Sequence, residues 1–225
     1  MIRAQVGDPT RLAAVAATNL LDSDLEEVFD RLTRLAAAVL DVPWAFVTLV
    51  DERRSFWKSC FGTGTVEVSD RQHAVEESFC QYVVATGDSL LIDDARLDER
   101  TKQNPSIESM GVIAWAGSPL LSADGHVLGT FCVVSSQPRH WSAADAGVLE
   151  TLAGAAASEI QLRTALATAR YAADALAAEL AIRNEIGRRS ELMSALALEL
   201  SAAARADEVA HIVASTGRVF SARSS

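Results

Sequence analysis

From Ile113 to Ser135 the chain reads as two strands meeting at Asp124-Gly125, and the second strand is apolar on both of its alternating faces. Val127, Gly129, Phe131 and Val133 form one face, and Leu128, Thr130, Cys132 and Val134 form the other. Such a strand belongs at the centre of a sheet covered on both sides. Asp-Gly supplies the positive φ angles of a type I′ turn, so 113–121 and 127–135 are expected as antiparallel neighbours. The rest of the chain must then provide a cover for each face.

Several segments suit that task. Trp44 to Val50 and Ser55 to Phe61 read as a hairpin across the polar turn Asp51 to Arg54, ended by Gly62 and Gly64. Those glycines lack GxGxxG or GxxxxGK[ST] spacing, so they mark a turn and not a phosphate cradle. Glu77 to Thr86 is expected as a helix with Phe79, Tyr82, Val83 and Thr86 on one stripe, Cys80 and Val84 beside it, and Gly87 as its stop. Leu90 to Ile92 is a short strand, and DDARLDERTKQNPS after it is a polar loop long enough to serve as a lid. Upstream, about Pro9 to Asp41 reads as helical. Ser23 and Glu26 suggest a capping box, and Leu25, Val28, Phe29, Leu32, Leu35, Ala36 and Val39 form a core-facing stripe.

A second helix start stands at Ser142 and Asp145. Beyond it Val148, Leu152, Ala155, Glu159, Leu162, Leu166, Ala169, Ala173, Leu176 and Leu180 recur in steps of four and three, a heptad seam interrupted at Glu159. No proline follows Pro138, so a continuous helix well beyond ordinary length is expected, and such a helix needs a partner. Leu162, Leu166, Ala169, Ala173, Leu176 and Leu180 would form the seam of a parallel homodimer; an intramolecular helical hairpin is the alternative. The register lapses near Gly187 and Arg188, then Leu192, Leu196, Leu200 and Ala203 resume it.

Composition excludes several classes of partner. The formal charge of −10 over 225 residues gives no clustered cations for a phosphate backbone or an anionic membrane surface. The N-terminus lacks signal-peptide organisation, and the longest apolar stretch, Leu35 to Val50, is broken by Asp41 and Pro43. A cytoplasmic protein is expected. Three cysteines, Cys60, Cys80 and Cys132, lack CxxC spacing and read as reduced, packed thiols. The four histidines are scattered, and His73 beside Glu76 and Glu77 reads as a surface imidazole, so no metal site is expected. Asp93, Asp94, Asp98 and Glu99 alternate with Arg96, Arg100 and Lys102, a solvated salt-bridged loop. Ser118 lacks the second glycine of a nucleophile elbow. No catalytic set emerges.

Taken together, SFCQYVVATGDSLLIDDARLDERT, the GSPLLSADGHVLGTFCVV hairpin and the WSAADAGVLETLAGAAASEIQLR helix resemble a GAF domain of bacterial signalling proteins, over about Leu12 to Arg163. The resemblance implies an α+β fold, an antiparallel sheet flanked by helices with a small-molecule pocket on one sheet face, followed by a long C-terminal coiled-coil helix. It implies an organisation of 1–11 as an extension, 12–163 as the sensory domain, 164–190 as a signalling helix, and 191–225 as the start of a truncated second domain similar to that of actinobacterial SpoIIE-type phosphatases and kinases. Output would then lie outside this chain. The ligand-binding candidates are Trp57, Phe79, Cys80, Tyr82, Asp93, Asp94, Trp115 and Phe131. The cofactor is left unknown. The Asn-Lys-x-x-Phe motif of cyclic-nucleotide relatives has no counterpart, and Asn104 stands where bilin-binding relatives carry a cysteine. Cys80 resembles one cysteine of the free-methionine sulfoxide reductases, which makes a thiol-based redox enzyme an alternative. Without partner cysteines between Asp93 and Val112, a sulfenic acid there would lack a resolving thiol within the chain. A ligand-free dimerisation scaffold is the third reading.

Overall fold

A computed structural model of the chain describes residues 2–64 and 66–221. Of the segment expected to open a second domain, residues 222–225 lie outside the described residues. The boundary between two compact units falls after Ala167.

The first unit is a six-stranded antiparallel sheet with strand order β3-β2-β1-β6-β5-β4. The strands are β1 (Trp44–Val50), β2 (Arg54–Phe61), β3 (Gln72–Ala74), β4 (Leu90–Ile92), β5 (Ala114–Leu121) and β6 (Val127–Ser135). The helices are α1 (Ile2–Val6), α2 (Pro9–Ala17), α3 (Glu27–Leu40), α4 (Cys80–Thr86), α5 (Ser106–Ser109) and α6 (Ala143–Ser221). As its two apolar faces require, β6 lies at the centre and is buried from Val127 to Val134.

One face is covered by α3 and the start of α6. Phe29, Ala36, Ala37 and Leu40 of α3 join Leu149, Leu152, Ala153, Ala156, Ala157 and Ile160 of α6 in a core with Val47, Leu49, Leu128, Phe131 and Val133. Alanines at three α6 positions shorten the side chains there and let the helix approach the sheet. On the opposite face α4 and the segment before β5 cover a second core.

Local chemistry decides several ends. Ser142 and Asp145 exchange hydrogen bonds as a reciprocal capping box at the start of α6. Gly87, at φ +78°, closes α4 by donating to Val83 O at 2.8 Å.

Four expectations need correction. The capping box at Ser23 and Glu26 does not form: Ser23 donates to Leu20 O and accepts from Lys58 Nζ, while Glu26 pairs with Lys58 and Arg163. Leu25, Leu35 and Val39 are exposed, because the buried face of α3 runs through Phe29, Thr33, Ala36, Ala37 and Leu40. The β5–β6 connection uses a positive φ at Gly125 alone, with Gly125 N donating to Ser122 O and Ser122 N to His126 O, so it is not a type I′ turn. A bulge at Leu128 puts that residue on the α3 and α6 face with Phe131 and Val133, whereas Val127 joins Cys132 and Val134 on the α4 face.

The second unit is the remainder of α6. Its leucines Leu176, Leu180, Leu192, Leu196 and Leu200 are exposed, and Gly187 does not interrupt the helix.

Candidate functional site

Between the sheet and its α4 cover lies a cavity of about 40 Å³. β1 contributes Phe46 and Thr48, and regular alternation aims both at this face. β2 contributes Trp57. A bulge at Lys58 turns both Lys58 and Ser59 toward α3, where Ser59 bonds Thr33 and Asp30, and leaves Trp57 facing the cavity. β5 contributes Trp115, whose indole lies over Gly117; a Cβ at Gly117 would fall 2.2 Å from the ring. Cys132 and Val134 come from β6, and Ser78, Phe79 and Cys80 come from the start of α4. Ser106, Met110 and Val112 close the far side.

The walls are aromatic. Phe79 stacks on Trp115 with centroids 5.9 Å apart, and Phe46 meets Trp57 at 5.2 Å. Two polar groups break this lining. Trp57 Nε1 donates to His73 Nδ1 at 3.2 Å, which places the proton of the neutral imidazole on Nε2. Burial lowers the pKa of His73 from its ordinary value, against the opposing charges of Cys80 and Glu77.

The second polar group surrounds Cys80. Thr130 Oγ1 donates to its sulfur at 3.0 Å, and Thr48 Oγ1 stands 3.3 Å away. A hydrogen bond from Cys132, helped by Ser78, Thr130 and Thr48, holds Cys80 well below the usual thiol range despite complete burial. Donation to Cys80, followed by burial, pushes Cys132 well above that range. The two thiols are thus pushed in opposite directions, Cys80 down and Cys132 up. α4 has only seven residues, so the hydroxyls and the neighbouring thiol, not a helix terminus, create this environment.

Of the residues anticipated from sequence, Trp57, Phe79, Cys80 and Trp115 line the cavity. Phe131 does not: it lies in the opposite core, because adjacent Cys132 takes the cavity face. Tyr82 is half-buried at the margin of this core and meets Phe79 edge-on without lining the cavity, since the inward face of α4 carries Cys80, Val83 and Val84. Asp93 binds His140 and the Trp141 backbone N–H, and Asp94 binds Arg96; both carboxylates are engaged away from the cavity. His73, read as a surface imidazole, faces the cavity instead. The lining residues not anticipated are Phe46, Thr48, His73, Ser78, Ser106, Met110, Val112, Cys132 and Val134, and those of β1 and β6 are brought together by a pairing between distant parts of the chain. Alternation along β1 and β6 was the available signal. Among the described residues, no group of three or more His, Cys, Asp and Glu side chains is placed to hold a metal ion. No helix among them is long and apolar enough to cross a membrane.

The sheet order, the helical layer on one face and the cavity on the other define an α+β module with a small cavity on one sheet face. The GAF domain family model matches residues 24–160, and the chain belongs to that family. It is 30% identical over 131 residues to the cyclic di-GMP phosphodiesterase PA2567 of Pseudomonas aeruginosa, covering 58% of this chain and 22% of that protein. It is 23% identical over 171 residues to the diguanylate cyclase DgcP of Escherichia coli K12, covering 75% of this chain and 49% of that protein. The chain therefore spans about a fifth and about half of the length of these relatives. The fold is similar to GAF3 from Slr1393 of Synechocystis sp. PCC6803, with a TM-score of 0.51 at 14% identity, covering 64% of this chain and 98% of that one.

Proposed function

We propose that this chain is a non-catalytic sensory module, in which occupancy of the cavity under α4 is relayed through α6 to an output segment outside the chain. The observation that carries this reading is the cavity itself: aromatic walls interrupted by a few convergent polar groups, on the face of a central strand. A water needs roughly 10–15 Å³ of such space, so about 40 Å³ admits a ligand of only a few heavy atoms. Methionine sulfoxide and cyclic nucleotides are larger, which disfavours both the sulfoxide reductase reading and a cyclic-nucleotide ligand. Both curated relatives carry names of enzymes that make or degrade a cyclic dinucleotide. An output of that kind joins the kinase and phosphatase outputs as a candidate for what the module regulates.

The route to α6 is physical. Trp57 lines the cavity, and the next residue, fully buried Lys58, bonds Glu26, which also pairs with Arg163 of α6. Movement of β2 at the cavity thus loads the place where α6 leaves the domain. Exposed Leu162 and Leu166 favour a homodimer through this helix as the element that carries the signal onward.

Protein isolated from its natural host tests the reading by native mass and by absorbance. Wild-type protein is expected to retain a small molecule that Val134→Phe, which fills the cavity, does not. Equal masses, together with tryptophan emission indifferent to host small-molecule extract, would overturn it, because Trp57 and Trp115 form the cavity wall.

A further inference from the structure

We propose that Cys80 and Cys132 form a peroxide-sensitive dithiol, a covalent sensing site inside the cavity, where a hydroperoxide oxidises the pair to a disulfide that ties α4 to the central strand β6. The proposal rests on the cavity being the sensing site and names the chemistry sensed there.

Four observations carry it. Both cysteines line the same cavity from different elements, so their bond would connect the cavity cover to the sheet. The Thr130 hydroxyl donates to the Cys80 sulfur at 3.0 Å, and Cys132 stands two residues further along β6 on the same face, next to the residue that touches Cys80. Polar groups crowd Cys80 beyond what a packed thiol needs: the hydroxyls of Thr48 and Thr130 stand 3.3 Å and 3.0 Å from its sulfur, and the Ser78 hydroxyl accepts from its backbone N–H at 3.1 Å. An ordinary buried cysteine behaves as a small hydrophobe and gathers no such shell. Finally, the space suits the oxidant. About 40 Å³ accommodates a molecule of two or three heavy atoms, and Met110, which lines the cavity, is also 38% exposed, so one side chain alone separates the cavity from solvent on that side. A thiophilic metal ion is the competing occupant for two thiols, but no third His, Cys, Asp or Glu ligand joins them among the described residues.

The chemistry balances as a two-electron transfer. The Cys80 thiolate attacks one peroxide oxygen; the S–O bond forms, the O–O bond breaks, and the leaving oxygen takes a proton to become water or an alcohol. Cys80 is then a sulfenic acid. The Cys132 sulfur attacks the Cys80 sulfur, the S–S bond forms, the S–O bond breaks, and the hydroxyl leaves as water with the Cys132 proton. Two thiols and one hydroperoxide give one disulfide, one water and one water or alcohol. Cys132 thereby supplies the resolving thiol that the Asp93–Val112 segment lacks.

Reduced full-length chain exposed to hydrogen peroxide, then alkylated under denaturing conditions and mapped by mass spectrometry, tests the proposal. One intramolecular disulfide joining the Cys80 and Cys132 peptides is expected, with the mass lowered by two hydrogen atoms. Cys132→Ser should stop at a Cys80 sulfenic acid trapped by dimedone, Cys80→Ser should yield neither product, and Cys60→Ser should behave as wild type. Thr130→Val preserves shape but removes one donor to Cys80, and should slow oxidation by about tenfold. Circular dichroism confirms that each variant is folded, and Thr130→Val carries the test should either cysteine variant fail to fold. Cys80 and Cys132 remaining reduced at peroxide doses that oxidise half-buried Cys60, or a disulfide that engages Cys60, would overturn the proposal. That result would leave the non-covalent sensory reading intact, since retained mass and not thiol state decides it.

Discussion

Neighbouring residues here do opposite jobs. Trp57 looks into an aromatic cavity while Lys58 is buried beneath α3, and the bulge between them makes both orientations possible. His73 shows how the site sets its charge. Because burial lowers its folded pKa below the unfolded value of about 6.5, the unfolded chain binds the proton first as pH drops. The corresponding stability is complete above that value and is lost as pH falls through the folded pKa. Urea unfolding at about pH 7.5 and about pH 5 should show this loss, and His73→Gln should remove its share of the difference. Gly117 is the other residue to probe. With a Cβ there only 2.2 Å from Trp115, Gly117→Ala should displace the indole, shift tryptophan emission and cost about 1–3 kcal/mol in denaturant titration.

At the scale of elements, what the sequence revealed was what local chemistry controls. The Ser142 capping box, the Gly87 stop and the central hairpin each depend on residues within a few positions of one another. The start of α3 was illegible because Glu26 is claimed by Lys58 and Arg163, the latter 137 residues away. The same limit hid most of the candidate site. Trp57, Phe79, Cys80 and Trp115 stood out as large or reactive side chains on expected elements, but which alternating face of β1 and β6 turns to α4 is settled only by which helices pack on each side of the sheet. Phe131 is the instructive case, being fully buried in the α3 and α6 core. Phe131→Ala should therefore cost about 3–5 kcal/mol in equilibrium unfolding. At temperatures where the variant remains folded, retention of the cavity's molecule should be unchanged.

For the whole molecule, the question is what covers the apolar surface left on one chain. Leu35 and Val39 of α3 and Leu162 and Leu166 of α6 are exposed, and further along α6 Leu176 and Leu180 are exposed as well. Such a run of leucines on one helix is stabilised by a partner. Sedimentation velocity should give a dimer for the chain and a monomer for Leu162→Asp combined with Leu166→Asp, with unchanged circular dichroism. A monomeric wild-type chain would contradict the dimeric relay.

A crystal structure of the protein purified from its natural host tests the central claim most directly. The account predicts non-protein density enclosed by Trp57, Phe79, Cys80 and Trp115, or a bond from Cys80 to Cys132 in its place. A cavity filled by its own side chains, with both thiols reduced and any bound molecule on another face, would contradict it.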